Sequence, residues 1–342
     1  YDWLNSPNVE LYKFNYPNNL LFAYSRLLNR PFIDKMVHGA DIFFFPHFFL
    51  SSLSPKCKRV TTFHDLSYIH FPEYLTLRKK FWHNFQMIPR WQAKFSDKLI
   101  AVSESTKNDL INFYKIDPAR IEVIYSGLDL EKVPFKGIKE GHLQNDLTNF
   151  KRERGLPDRF ILFLGKLEPR KNIVSIIKAF NNLKTNPKYN DVGLVIAGTK
   201  GWLYEDIMKE ANRTSDVAPT SDVANRIIFT DQIKDEERSL YYRAAEIFVY
   251  PSFFEGFGFP PLEAMSCGTP VITSRNSSLP EVVGASAVTI DPYDVQELGL
   301  WITKLLDDKD LVTLMAKKGV EQASKFNWRN TAIKTLEVLT KT

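Results

Sequence analysis

Ten short runs of β-branched, aromatic and aliphatic residues, separated by longer stretches with helical spacing, limit this chain's fold more than any other feature. The first half carries them at Asp41–Phe45, Arg59–Phe63, Lys98–Val102 and Arg120–Tyr125. The second half carries them at Phe160–Leu164, Val192–Ala197, Arg226–Phe229, Ile247–Tyr250, Pro270–Thr273 and Ala287–Ile290. Continuous apolar runs of this length mark strands buried on both faces, as in a parallel sheet. Ile173–Leu183, Glu236–Ala245 and Asp294–Leu306 show helical spacing between them. Strands alternating with helices predict an α/β chain of doubly wound units. At 342 residues the chain is long enough for two such units of roughly 150 residues each.

The boundary is expected within Gly127–Asp158, which is charged, contains Gly137, Gly141 and Gly155, and lacks a sustained apolar period. A five-residue duplication, Thr214–Ala218 and Thr220–Ala224, reads as a surface-loop insertion. No run approaches the ~20 apolar residues that cross a bilayer. Cys57 and Cys267 are too few for a disulfide framework and have no metal-ligand spacing, as in a chain with reduced cytoplasmic thiols. A net charge of +5 permits acidic partners without selecting one.

Four strand ends carry candidate chemistry. The strand ending at Tyr250 runs into Glu255-Gly256-Phe257-Gly258-Phe259-Pro260-Pro261-Leu262-Glu263. Prolines favour a first helical turn there, and Gly256 and Gly258 allow backbone N–H groups to approach a ligand at a helix N-terminus. Glu255 and Glu263 would repel a phosphate and are expected to face hydroxyls; the plainer reading is a tight connection with a solvated acidic turn. The strand ending at Leu164 runs into Gly165 and then Arg170-Lys171-Asn172 before a helix. Cations at a helix start oppose its dipole, so a bound diphosphate explains the pair better than solvent does. In the first half, His64 and Asp65 lie just past a strand's carboxyl end, the edge at which open α/β sheets bind ligands. Ser103 and Ser105 follow another strand and are read either as helix caps or as acceptor-side contacts.

Together these residues resemble glycosyltransferase family 4, a retaining family with the GT-B fold of two Rossmann-like domains facing across a cleft. The match includes two glutamates eight apart, Glu255 and Glu263, inside an EGFGFPPLEAM context. The Gly165…Arg170-Lys171-Asn172 and His64-Asp65 motifs occur in the family's order, and Ser278-Leu279-Pro280-Glu281 resembles its segment after the signature. The resemblance implies a first domain over 1–133, a nucleotide-sugar domain over 134–326, and a final helix, 327–342, returning to the first domain. It implies that Arg170 and Lys171 hold the donor diphosphate, beside Gly165. Glu263 binds the ribose, and the loop containing Ile233 meets the base. Glu255 and the backbone of Gly256, Phe257, Gly258 and Phe259 contact sugar and phosphate. His64 touches the sugar from the opposite domain, with Asp65 and Ser103 on the acceptor side.

The implied reaction moves a hexose with retention, mannose from GDP-mannose by overall resemblance, onto a glycan or lipid-linked acceptor of a cell-surface polysaccharide. Glu255, His64, Arg170 and Lys171 are the expected catalytic group. The basic pair does work that many transferases assign to Mg²⁺, so no metal or other cofactor is expected. No nucleic acid is expected as a partner. One departure stands out: no Gly-rich loop precedes Asp41, and Gly39 is the single glycine before it. Either that loop lies upstream of this chain, or it is absent and the protein is a catalytically dead nucleotide-sugar binder or assembly subunit. A sugar-nucleotide epimerase is a further alternative, disfavoured by the Glu255/Glu263 context.

Leu77, Phe81, Phe85, Ile88, Trp91 and Phe95 fall in an arc of roughly 120° if 77–95 is one helix, with Lys79, Lys80, His83, Arg90 and Lys94 opposite. Pro89 is expected to kink or divide it. A core-packed helix is the plainer reading. Docking on anionic lipid is the functional one, and it would make the enzyme cytoplasmic and peripheral at the membrane.

Overall fold

A computed structural model describes residues 6–129, 143–217 and 227–342. All ten predicted strands form among them, in two parallel sheets. The first sheet runs β1 (Ile42–Phe45), β2 (Lys58–Phe63), β3 (Lys98–Ala101) and β4 (Ile121–Val123) in chain order. The second has the order β10-β9-β8-β5-β6-β7, where β5 is Arg159–Leu164, β6 Val192–Ala197 and β7 Ile227–Phe229. Its other half is β8 (Ile247–Tyr250), β9 (Val271–Ser274) and β10 (Val288–Ile290). The chain starts in the middle at β5, winds outward through β6 and β7, then returns to β8 on β5's other side. The strand order reverses there, so a crevice opens beyond the carboxyl ends of β5 and β8.

Burial follows the pleat. On the first sheet Phe63, Leu99 and Ala101 face a core containing Leu110 and Tyr114, whereas Val60 and Ile100 face the other side. That other side is covered by Val338 and Leu339 of the helix Trp328–Thr340, so the chain's last helix packs on its first sheet. In the second domain the helix Ile173–Leu183 buries Ile173, Ile176, Ile177, Phe180 and Leu183, one stripe at helical spacing.

Three expectations need correction. The segment 127–158 is not all linker: Leu143–Arg154 is a helix that buries Leu147 and Phe150, a helical period of three residues. The boundary at 133/134 and strand residue Arg226 lie outside the described residues. The first four residues of the first copy are not a loop, because Thr214–Val217 completes the helix Glu205–Val217; Ala218 and the whole second copy lie outside the described residues.

The third concerns 77–95, which is three pieces and not one helix. They are Leu77–Phe81, a π-helical stretch Trp82–Met87, and Pro89–Phe95. Proline disfavours the α region for the residue before it, and Ile88 is left-handed at φ 42°. The single arc is therefore lost. Leu77, Phe81 and Phe95 are exposed and do not pack in the core, while His83 turns inward and stacks on Tyr68 at 4.2 Å. Lys79 leaves the solvent face and sits 2.9 Å from the ring centroid of Trp202 in the second domain.

Candidate active site

The carboxyl ends of β5 and β8 bring four charges together. After β5, Pro169–Lys171 forms a single 3₁₀ turn, and left-handed Asn172 (φ 55°) redirects the chain into the helix Ile173–Leu183. That turn aims Arg170 and Lys171 across the crevice at the loop after β8. Glu255 Oε1 accepts from Lys171 Nζ (2.6 Å) and Ser252 Oγ (2.6 Å), and Oε2 lies 3.0 Å from an Arg170 nitrogen. Arg170 also donates to Glu168 (2.8 Å) and to the Phe254 carbonyl, and Lys171 donates to the Tyr250 hydroxyl (2.6 Å). Two carboxylates thus balance two cations in a site where Glu168, Lys171 and Glu255 are all buried.

The electrostatics follow from that geometry. Burial alone would raise the Glu255 pKa, but Arg170 and Lys171 outweigh it and hold the carboxyl down at about 2. Burial pushes the Lys171 ammonium down, and Glu255 opposes this. Arg170 is driven above its usual range by Glu255 and Glu168, despite its burial. Glu255 is therefore the counter-ion of the basic pair, which differs from its expected position facing substrate hydroxyls. Both of its oxygens accept from the basic pair or from Ser252.

The loop around Glu255 is fixed from behind by the segment after β9. Ser274 donates to the Ser252 carbonyl (2.7 Å), Asn276 to Phe253 (2.8 Å), and Ser278 to both Glu255 (2.8 Å) and Phe257 (2.7 Å). Phe257 turns its ring into the core against Phe326 and Phe259. Gly258 (φ 114°) caps the helix Phe259–Ser266 in a conformation that favours glycine. Glu263 in that helix accepts from Tyr242 (2.8 Å) and Arg238 (3.2 Å), which hold it half-buried. Ile233 lies in the loop after β7 and packs on the second core. Gly165 ends β5 beside Gly198, where an added Cβ would lie 2.0 Å from the Gly165 carbonyl.

The first domain closes the other side. A cavity of about 490 Å³ has His47, His64, Asp65 and Lys79 on that side, and Arg170 and Trp202 on the second domain's side. His64 Nε2 lies 2.8 Å from the Pro46 carbonyl, which can only accept, so this nitrogen donates. Asp65 accepts from both the backbone and hydroxyl of Ser67. Gly256 meets this domain directly: a Cβ there would lie 2.0 Å from the His64 carbonyl. The space its missing side chain leaves is thus filled by the opposite domain, not kept for a ligand alone. Ser103 is a correction: it is fully buried, accepts from Thr106 N–H (3.1 Å) and caps a helix, so it lines no acceptor site.

Sequence reasoning missed His47, Lys79 and Trp202. His47 follows β1 as His64 follows β2, so the strand-end argument would have found it. Lys79 and Trp202 meet only through the tertiary fold, where Trp202 Nε1 donates to the Tyr74 carbonyl (2.6 Å). One Asp-x-Asp triplet exists, Asp308-Lys309-Asp310, but it begins the helix Lys309–Ala323, where Asp308 caps Leu311. Among the described residues no three His, Cys, Asp or Glu side chains converge as metal ligands.

Two family models match, "Glycosyltransferase Family 4" over residues 5–132 and "Glycosyl transferases group 1" over residues 145–322. The chain belongs to glycosyltransferase family 4. This family 4 enzyme is 30% identical over 332 residues to an O-antigen chain mannosyltransferase B of Escherichia coli, covering 96% of this chain and 78% of that one. It is 31% identical over 247 residues to the serotype-specific mannosyltransferase WbdA of Escherichia coli, covering 72% of this chain but only 29% of that protein. Its fold is GT-B. It superposes on Anabaena HepE in complex with UDP and glucose with a TM-score of 0.72 at 19% identity, covering 100% of this chain and 89% of that one. It superposes on WaaG, a glycosyltransferase involved in lipopolysaccharide biosynthesis, at 0.70 and 16%, covering 96% and 85%.

Proposed function

We propose that this glycosyltransferase moves mannose from GDP-mannose, with retention of anomeric configuration, onto a glycan or lipid-linked acceptor in cell-surface polysaccharide synthesis. The observation that carries the reading is the Arg170–Lys171 pair at the strand-order reversal, Lys171 buried and Arg170 lining one cavity with His64 of the other domain. Mannose rests on the names of the two Escherichia coli relatives.

In the proposed step the acceptor hydroxyl oxygen bonds to the anomeric carbon as the bond from that carbon to the diphosphate breaks. The bonding electrons leave with the nucleoside diphosphate, and the hydroxyl proton ends on a departing phosphate oxygen. Charge builds on the leaving group, and fixed cations in a dry crevice stabilise it with little reorganisation. Arg170 forks to two oxygens and Lys171 adds a point charge, with Glu255 holding both in place beforehand. Glu263, steadied by Arg238 and Tyr242, takes the ribose diol, and the Ile233 loop takes the base. His64 offers Nδ1 to the sugar from the first domain.

Metal independence is part of the reading: chelation with EDTA leaves the transfer rate unchanged, and a loss restored by Mg²⁺ overturns it. Among the described residues no helix is long and apolar enough to cross a membrane. Exposed Leu77, Phe81 and Phe95, with Arg90 and Lys94, support peripheral docking on the cytoplasmic membrane face. The deciding experiment is a panel of nucleotide sugars scored by thermal stabilisation and then by transfer, with the product anomer read by NMR. A ligand at 100 times its Kd adds about 2.7 kcal/mol, which a melting curve resolves. Stabilisation by GDP-mannose with mannosyl transfer supports the reading. Stabilisation without turnover makes the chain a nucleotide-sugar-binding subunit instead.

A further inference from the structure

Three residues beyond Ser278, in the short helix Leu279–Val283, Glu281 reaches out of the second domain. The backbone N–H of Glu104 donates to its Oε2 (2.9 Å), and that of Ser105 to its Oε1 (3.1 Å). These donors belong to the first turn of the helix Glu104–Tyr114 in the first domain, whose own cap, Ser103, serves Thr106. A carboxylate of one domain therefore satisfies groups that a helix of the other leaves unpaired, with the helix dipole in its favour. The Tyr125 hydroxyl also donates to Glu281 Oε2 (2.9 Å).

Tyr125 lies where the chain leaves the first domain. Its carbonyl accepts from Thr331 Oγ1 (2.8 Å) in the returning C-terminal helix. The two crossing segments are tightly joined beside it: Leu128 pairs with Asn327, and a Cβ on Gly127 would lie 2.2 Å from the Trp328 nitrogen. Glu281 thus ties the second domain to the first and to the crossing at once.

Both ends of this tie lead to one junction. On the second-domain side Ser278 fixes the carbonyls of Glu255 and Phe257. On the first-domain side Thr106, the residue after Ser105, donates to the His64 carbonyl (3.2 Å). That carbonyl is the group pressed against Gly256.

We propose that Glu281 is a positioning residue: by capping the helix Glu104–Tyr114 from the opposite domain, it sets the separation between His64 and the Glu255 loop. It rests on reading the cleft as a sugar-transfer centre, yet the separation is measurable whether or not sugar moves. Nucleoside diphosphate should bind independently of Glu281, because Arg170, Lys171 and Glu263 belong to the second domain alone.

The test compares the full chain with Glu281→Ala and Glu281→Gln, carrying dyes on Lys94→Cys and Lys309→Cys, both exposed positions, while Cys57 and Cys267 are buried. Energy transfer is read with saturating GDP and with saturating UDP, beside calorimetric affinity for each and steady-state kinetics with GDP-mannose. Glu281→Ala is expected to lengthen and broaden the inter-dye distance and to lower kcat at least tenfold. The donor KM and the diphosphate Kd should stay within twofold. Glu281→Gln, which keeps one acceptor oxygen, should fall between. An unchanged distance and kcat in Glu281→Ala overturns the proposal, as does a Kd that weakens in step with kcat. If the unsubstituted chain transfers no sugar while the distance still shifts, the positioning role stands and the proposed function falls.

Discussion

Replacing Glu255 with Gln tests whether this carboxylate is the counter-ion of the basic pair. The amide keeps the shape and one acceptor oxygen but leaves buried Glu168 as the one carboxylate beside Arg170 and Lys171. The magnitude follows from linkage. The folded state holds Glu255 at about 2, against 4.5 for an ordinary glutamate. That difference corresponds to about 3 kcal/mol of stability at neutral pH. Removal of one partner from other buried ion pairs costs a similar amount, about 3–5 kcal/mol. Because the folded pKa is depressed, the contribution is present in full above 4.5 and is lost as pH falls through 2. Urea denaturation at pH 7 should therefore separate the two proteins by about 3 kcal/mol, narrowing to about 1.5 by pH 3. A bound diphosphate supplies the missing negative charge, so GDP should stabilise the variant more than the unsubstituted chain. A stability gap under about 0.5 kcal/mol at pH 7, the size of an ordinary surface change, would refute the counter-ion role.

Replacing both cations, Arg170→Gln with Lys171→Gln, should weaken GDP binding by at least about 100-fold, since each charge-assisted hydrogen bond contributes about 1.5–3 kcal/mol. Glu263→Gln should weaken it by about tenfold; unchanged calorimetric affinity in either variant removes that residue from the donor site. Gly256→Ala puts a methyl group 2.0 Å from the His64 carbonyl, so the domains must separate by about 1 Å. It should cut kcat by about 100-fold with GDP affinity kept, and an unimpaired kcat would show that the close approach is not needed for transfer. Leu77→Ser with Phe81→Ser and Phe95→Ser should abolish flotation on vesicles containing anionic lipid, because each exposed side chain contributes about 1.5–3 kcal/mol when buried. Equal flotation of the unsubstituted chain with and without anionic lipid would end the membrane reading.

What the sequence made legible depended on whether a signal was local. Val192–Ala197 and Ile247–Tyr250 were predicted to the residue because a strand buried on both faces has to be apolar throughout. Ile173–Leu183 was predicted to the residue because its buried stripe repeats at helical spacing. The same kind of signal failed at 77–95, where a fixed rotation of 100° per residue was carried through a π-helical stretch and a left-handed Ile88. Each of those changes the rotation, so the residues no longer share one arc.

Charge partners were a harder case, because sequence distance says nothing about them. Arg170 and Lys171 were identified as an anomaly at a helix start that needed an anion. The structure supplies two, Glu168 two residues away and Glu255 on the neighbouring strand's loop. The anomaly was a true signal, with protein partners that the sequence did not show. They add to the chemistry: the cations are held in place by a carboxylate before any phosphate arrives. A diphosphate entering this crevice meets a pair already desolvated and oriented, and it competes with Glu255 for the same nitrogens. Affinity for the nucleoside diphosphate and stability of the apo chain are therefore coupled through one side chain. Glu255→Gln should move them in opposite directions, a pattern that a merely structural glutamate would not produce.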